Sequence, residues 1–149
     1  MKFSKLKWLI VWLQIIGGIN GIGLIVYLML QTEVISGPLL FIFLTGLFLF
    51  GFSIYCGRIL MNNEKDGFII SGINQALQIF QFRMLGYGLS YSSGITVAFG
   101  IKGLTFNFET AFSSFNMNVN SGNDFLIRIN LIPILVLIML LRLGKTLVG

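Results

Sequence analysis

Two long apolar runs open the chain. Trp8 to Leu30 is 23 residues without a charge and Val34 to Gly57 is 24; as helices they extend about 34 and 36 Å, against a hydrocarbon core of about 30 Å. Each is long enough to cross a bilayer. Gln31-Thr32-Glu33 and a Ser36-Gly37-Pro38 break separate them, with Pro38 suited to a first helical turn. Residues 1–66 therefore read as an N-terminal transmembrane helical hairpin.

Between residues 67 and 86 the pattern becomes amphipathic. Phe68, Ile69, Ile73, Leu77, Phe80 and Met84 recur at helical spacing, while Ser71, Asn74, Gln75, Gln78 and Gln81 form an uncharged polar stripe. The spacing predicts a helix that either lies in the membrane interface or crosses as a third span. Its acidic start, Glu64-Lys65-Asp66, suits a helix N-terminus.

From residue 87 to 130 the period shortens to two. Ile95, Val97, Phe99 and Ile101 alternate with polar or small residues, as do Leu104, Phe106 and Phe108, then Phe115, Met117 and Val119, then Ile127, Ile129 and Leu131. This predicts a four- or five-stranded antiparallel meander with one apolar face. Turns are expected at Ser92-Ser93-Gly94, around Gly103, and at Asn120-Ser121-Gly122-Asn123. An open sheet is not tolerated in lipid, so the meander is expected at the membrane surface, or closed into a barrel with other copies. The Asn107, Asn116, Asn118 and Asn120 side reads as a solvated face.

Residues 131–149 form a last apolar run with Pro133 near its start and a basic tail. Only 13 uncharged residues, Ile129 to Leu141, lie at its centre, so crossing requires Arg128 and Arg142 to snorkel. The fold class expected is thus integral membrane α+β, with three to four spans.

Composition supports lipid as the principal solvent: 10% charged residues, 56% hydrophobic, and a mean hydropathy of +0.91, where soluble domains carry about 25% charge. The net charge of +5 does not suggest nucleic acid, because the basic residues sit singly at the ends of apolar runs rather than in a stripe. Lys5, Lys7, Arg58, Arg142 and Lys145, with Trp8, are read as membrane-interface anchors. Their distribution places the N-terminus in the cytoplasm and, with four spans, the C-terminus as well. Abundant Ile, Asn and Lys with little Ala suggests an AT-rich bacterial genome, hence a bacterial cytoplasmic (inner) membrane.

Candidate chemistry is sparse. There is no His, which excludes a Ser-His-Asp or Cys-His site within the chain. Cys56 stands alone and reads as a packing residue. The acids Glu33, Glu64, Asp66, Glu109 and Asp124 are dispersed, so neither a metal site nor an acid/base pair is expected, and no cofactor. Gly17-Gly18-Ile19-Asn20-Gly21 lies mid-run, without the flanking strand a phosphate loop needs. Its Gly17-xxx-Gly21 spacing fits close helix packing instead. Gly17, Gly18 and Gly21, with Gly46, Ser53 and Gly57 of the second run, are the candidate helix-packing residues. Ser71, Asn74, Gln78 and Gln81 are candidates for assembly contacts or pore lining, and Tyr87 and Tyr91 for interface anchors.

The expected function is non-enzymatic: an accessory or structural subunit of a larger inner-membrane assembly. The alternative is a self-assembling homo-oligomeric pore or membrane-disrupting effector. Expected partners are the lipid bilayer and other membrane subunits or further copies, with no nucleic acid and no evident small-molecule substrate.

Overall fold

A computed structural model describes residues 2–118 and 125–148, with the side chains at both chain ends outside that description. It contains four helices and a four-stranded antiparallel sheet: α1 (Lys2–Gln31), α2 (Gly37–Asn62), α3 (Glu64–Ile79), β1 (Phe80–Met84), β2 (Tyr87–Lys102), β3 (Thr105–Asn118), β4 (Leu126–Asn130) and α4 (Leu131–Val148). α1 and α2 are long and apolar enough to cross a membrane, whereas the apolar part of α4, Leu131–Gly144, is shorter.

The two long helices pair antiparallel, and small residues set their separation. A Cβ added at Gly18 would lie 2.7 Å from the Phe50 carbonyl oxygen, and one at Gly57 would lie 3.1 Å from the Val11 carbonyl oxygen. Lower in the bundle, Ile10 and Val11 of α1, Leu60 of α2, and Val136, Leu140 and Leu143 of α4 form one apolar cluster, with Phe68 of α3 against it. α3 folds back directly after α2. Asn63 ends α2 with its N–H on Ile59 and caps α3, its side chain accepting from the Asp66 N–H at 3.4 Å. Gly67 permits the sharp return: a Cβ there would sit 2.7 Å from Leu60 N. The starts of α1 and α3 and the ends of α2 and α4 therefore lie together, and the Lys7–Glu64 ion pair, at 2.6 Å, bridges two of them.

Helix α3 is shorter than its sequence suggests. The helical pattern expected through residue 86 stops at Ile79, and Phe80–Met84 is a strand. Phe80 and Met84 fit helical spacing after Leu77, but Phe80, Phe82 and Met84 equally fit alternation, and pairing with β4 decides for the strand. A two-residue turn, Leu85 at φ 52° and Gly86 at φ 83°, returns the chain into β2.

The sheet is not a simple meander. Its order is β1-β4-β2-β3, with β1 also paired to β2, so β4 inserts between two sequential strands and β1, β4 and β2 form a closed circuit of pairings. The turn expected at Ser92-Ser93-Gly94 is instead a bulge within the continuous β2. The bulge takes a left-handed backbone on both strands: Gly94 has φ 96°, and Ser113 opposite has φ 54°. The turn at Gly103 is present, with φ 60°. The turn expected at Asn120-Ser121-Gly122-Asn123 lies outside the described residues.

The sheet is docked against the middle of the helical hairpin rather than on its end. Gly94 lies on Gly17 halfway along α1, where an added Cβ would be 2.7 Å from the Gly94 Cα. Ser113 Oγ donates to the Gly17 carbonyl at 2.8 Å. Tyr91 donates to the Leu49 carbonyl, midway along α2, at 2.8 Å. Ile25, Phe43, Phe50 and Tyr91 close an upper apolar cluster at that level, with Phe115 beside it.

Candidate functional site

The distribution of polarity is inverted relative to a soluble domain. Register places Phe80 opposite Ile129, Phe82 opposite Ile127, Phe99 opposite both Ile129 and Phe108, and Ile101 opposite both Ile127 and Phe106. These side chains make one apolar sheet face, and it points outward: Phe80 is 65% exposed and Phe106 97%. The helices repeat the pattern, with Phe41, Phe48, Ile69, Leu135 and Leu141 exposed. Only 39% and 28% of the residues in the most apolar stretches of α1 and α2 are buried. The core helix of a soluble protein is mostly buried.

Inside, beside the two apolar clusters, lies a polar layer. Gln14 of α1, Ser53 of α2, and Ser71, Asn74, Gln75 and Gln78 of α3 are all within 1% of complete burial. Ser53 Oγ donates to the Gln14 carbonyl at 3.1 Å. Asn74 Nδ2 donates to Ser53 Oγ at 3.2 Å and to Gln14 Oε1 at 3.4 Å, and its Oδ1 lies 3.2 Å from the Tyr91 hydroxyl. Gln78 accepts the Ser93 N–H at the bulge, at 2.8 Å. Asn130 joins strand to helix: its Oδ1 accepts from Val97 N at 3.1 Å and Ile132 N at 3.3 Å, and its Nδ2 donates to Ser92 Oγ at 3.2 Å. In a low-dielectric surrounding such bonds hold each element in a single register.

The residues singled out in the sequence fall into three places. Gly17, Gly18, Gly21, Gly46, Ser53 and Gly57 all lie at close contacts of the hairpin, Gly17 against β2 and the others between α1 and α2 or beside Phe115. Ser71, Asn74, Gln78 and Gln81 share one buried side, with Gln81 on β1 rather than on a helix. Lys5, Trp8, Arg58 and Arg142 are exposed, and Lys7 is half-buried in its ion pair. The Lys145 side chain lies outside the described residues. Tyr91, expected at an interface, is 1% exposed and sits in the polar core, because the bulge turns it onto Phe50. Of the expected solvated asparagine face, Asn116 is exposed and Asn107 half-buried; each accepts from an arginine, Asn107 from Arg128 at 3.2 Å and Asn116 from Arg83 at 3.4 Å.

A charged crossing on the sheet's inner face has no clear sequence signal. Arg128 of β4, 8% exposed, lies across β2 to an ion pair with Glu109 of β3. Gly100 is opposite Arg128 on one side and Asn107 on the other, and Glu109 is opposite Ala98, so the pair crosses β2 diagonally. A Cβ at Gly100 would come within 2.6 Å of the Arg128 Cα and Cγ. Among the described residues no group of three or more Cys, Asp or Glu is placed to hold a metal ion.

The most open feature is the edge of β3. Its ladder runs only to β2 among the described residues, leaving the other side of residues 105–111 without a strand partner and flanked by exposed Phe106, Phe108 and Phe112; at Phe112 the carbonyl accepts from Asn20 Nδ2 of α1 at 3.3 Å. Native edges are ordinarily blunted by proline, unpaired charge or short length. Here Glu109 is the one charge, and it is taken up by Arg128. The chain matches no family model, no curated protein and no solved structure.

Proposed function

We propose that the chain is an integral protein of a bacterial cytoplasmic membrane, with α1 and α2 crossing the bilayer. In this reading it is a non-catalytic subunit of a larger membrane assembly, completed along β3 by a strand of another protein. The observation that carries the proposal is the bare β3 edge on an apolar exterior, in a sheet docked halfway along two membrane-length helices. At that depth water is not available to unpaired backbone groups, and each costs several kcal/mol unless protein covers it. A partnered edge removes that cost.

Orientation follows from charge. The exposed Lys5, Arg58, Lys65 and Arg142 belong to the end where α1 and α3 start and α2 and α4 finish, which supports reading that end, and both termini, as cytoplasmic. The pore alternative draws little support from the stripe, since Ser71, Asn74, Gln78 and Gln81 are all buried inside one chain, where Asn74 and Gln78 are hydrogen-bonded to neighbouring elements. Its remaining form is self-assembly along β3.

The test is a photo-crosslinking amino acid at Phe106 or Phe108 in native membranes, followed by gentle detergent extraction and mass analysis. A covalent adduct to a different protein at fixed ratio is the expected result. An adduct of two copies of this chain favours the pore, and no adduct at either position refutes a partnered edge.

A further inference from the structure

α3 and α4 diverge on their outer side, leaving an apolar groove of about 640 Å³. Gly72, Ala76 and Gly144 form its low points, and Phe68, Ile73 and Leu141 are among its walls. Its two glycines differ from Gly17, Gly18, Gly21, Gly46 and Gly57 of the hairpin, which are all in close contact. A Cβ at Gly72 would meet only Leu137 Cδ1, at an ordinary 3.6 Å, and one at Gly144 would meet nothing within 4 Å. The chain itself does not need this space.

The groove leads toward the cationic end of the bundle. Lys65 precedes Ile69, Gly72 and Ala76 by four, seven and eleven residues, which puts it on the same face of α3, and it is exposed. Arg142, also exposed, follows the groove residue Leu141 on α4. An apolar trough with cations at one end is complementary to a long hydrocarbon chain carrying an anionic head. A second copy is the less suitable occupant, because copies inserted in one orientation would set their Lys65 and Arg142 against each other.

We infer that the α3–α4 groove holds one acyl chain of an anionic phospholipid, with the headgroup phosphate at Lys65 and Arg142. This rests on the membrane reading above. The test uses the full chain purified in mild detergent, supplied with phosphatidylglycerol or phosphatidylcholine, with bound lipid counted by native mass spectrometry. One phosphatidylglycerol per chain is expected, favoured roughly tenfold over phosphatidylcholine by the two cations. Lys65→Gln with Arg142→Gln removes that preference. Gly72→Leu fills the trough and abolishes retention of both lipids, whereas Gly23→Leu, also facing open space, leaves retention unchanged.

Equal retention of the two lipids by the natural chain, or undiminished retention by Gly72→Leu, overturns the inference, as does a dimer that Gly72→Leu disrupts. Carbonate extraction of the source membranes separates the two readings. A chain released by carbonate refutes membrane integration, while a chain that stays integrated but retains no lipid refutes the groove alone.

Discussion

Replacing Gly17 with Ala measures how much of the fold depends on the contact between helix and sheet. The new methyl carbon would lie 2.7 Å from both the Gly94 Cα and the Ser93 carbonyl carbon; these are backbone atoms, so no rotamer change relieves the overlap. Overpacking of this kind costs about 1–3 kcal/mol. Separating the surfaces also weakens the Ser113 Oγ bond to the Gly17 carbonyl, at 2.8 Å, at about 0.5–1.5 kcal/mol. Against this, Ala gains up to about 1 kcal/mol over Gly in a helix interior. The net loss is roughly 0.5–3.5 kcal/mol, or about twofold to a few hundredfold in the folding equilibrium.

Gly23→Ala is the matched control, since its methyl meets nothing within 4 Å and only the propensity gain remains. Unfolding in mixed micelles with rising denaturing detergent, followed by Trp8 and Trp12 fluorescence, gives both values. A Gly17→Ala protein as stable as Gly23→Ala would refute docking of the sheet at mid-helix.

Three further outcomes follow from the same structure. Gly100→Ala is expected to separate β4 from β2 and cost more than about 3 kcal/mol, read as loss of strand signal by infrared spectroscopy; an unchanged spectrum contradicts the Arg128 crossing over Gly100. Arg128→Met removes a nearly buried guanidinium and leaves Glu109, about a third exposed, without its partner, at an expected cost of about 1–3 kcal/mol, whereas Lys7→Met breaks a more exposed pair and costs under about 1 kcal/mol; a larger loss for Lys7→Met in micelle unfolding would contradict that difference in environment. Asn74→Leu leaves Gln14, Ser53 and Tyr91 without their shared partner and is expected to cost about 2–4 kcal/mol, while vesicle permeability is unaltered; raised stability, or a permeability change in a protein that stays folded, would count against a purely internal role.

Much of the helical framework is legible because a charge-free run of membrane length has few other interpretations. The end of α3 is less so, since Leu77, Phe80 and Met84 satisfy helical spacing while Phe80, Phe82 and Met84 satisfy a strand. A glycine beside two serines marks a positive φ but does not distinguish a reversal from the bulge that Gly94 makes. Nor does local pattern reveal that β4 enters between β1 and β2, because pairing Phe80 with Ile129 is a tertiary event. The polar stripe is visible at its spacing, but its partners Gln14, Ser53 and Tyr91 lie on other elements, so the direction it faces is a property of the assembled bundle. Periodicity identifies the apolar side of the sheet. It does not say whether that side is turned in or out.

The joints between helix and strand have a mechanical consequence. Ile79 ends α3 and Phe80 begins β1, while Asn130 ends β4 and Leu131 begins α4, with no residue between in either case. β1 and β4 are themselves paired, so the sheet and the α3–α4 pair are joined at two adjacent points with no linker to absorb a relative movement. Any tilt imposed on the sheet would have to be passed to both helices or break the pairing between β1 and β4.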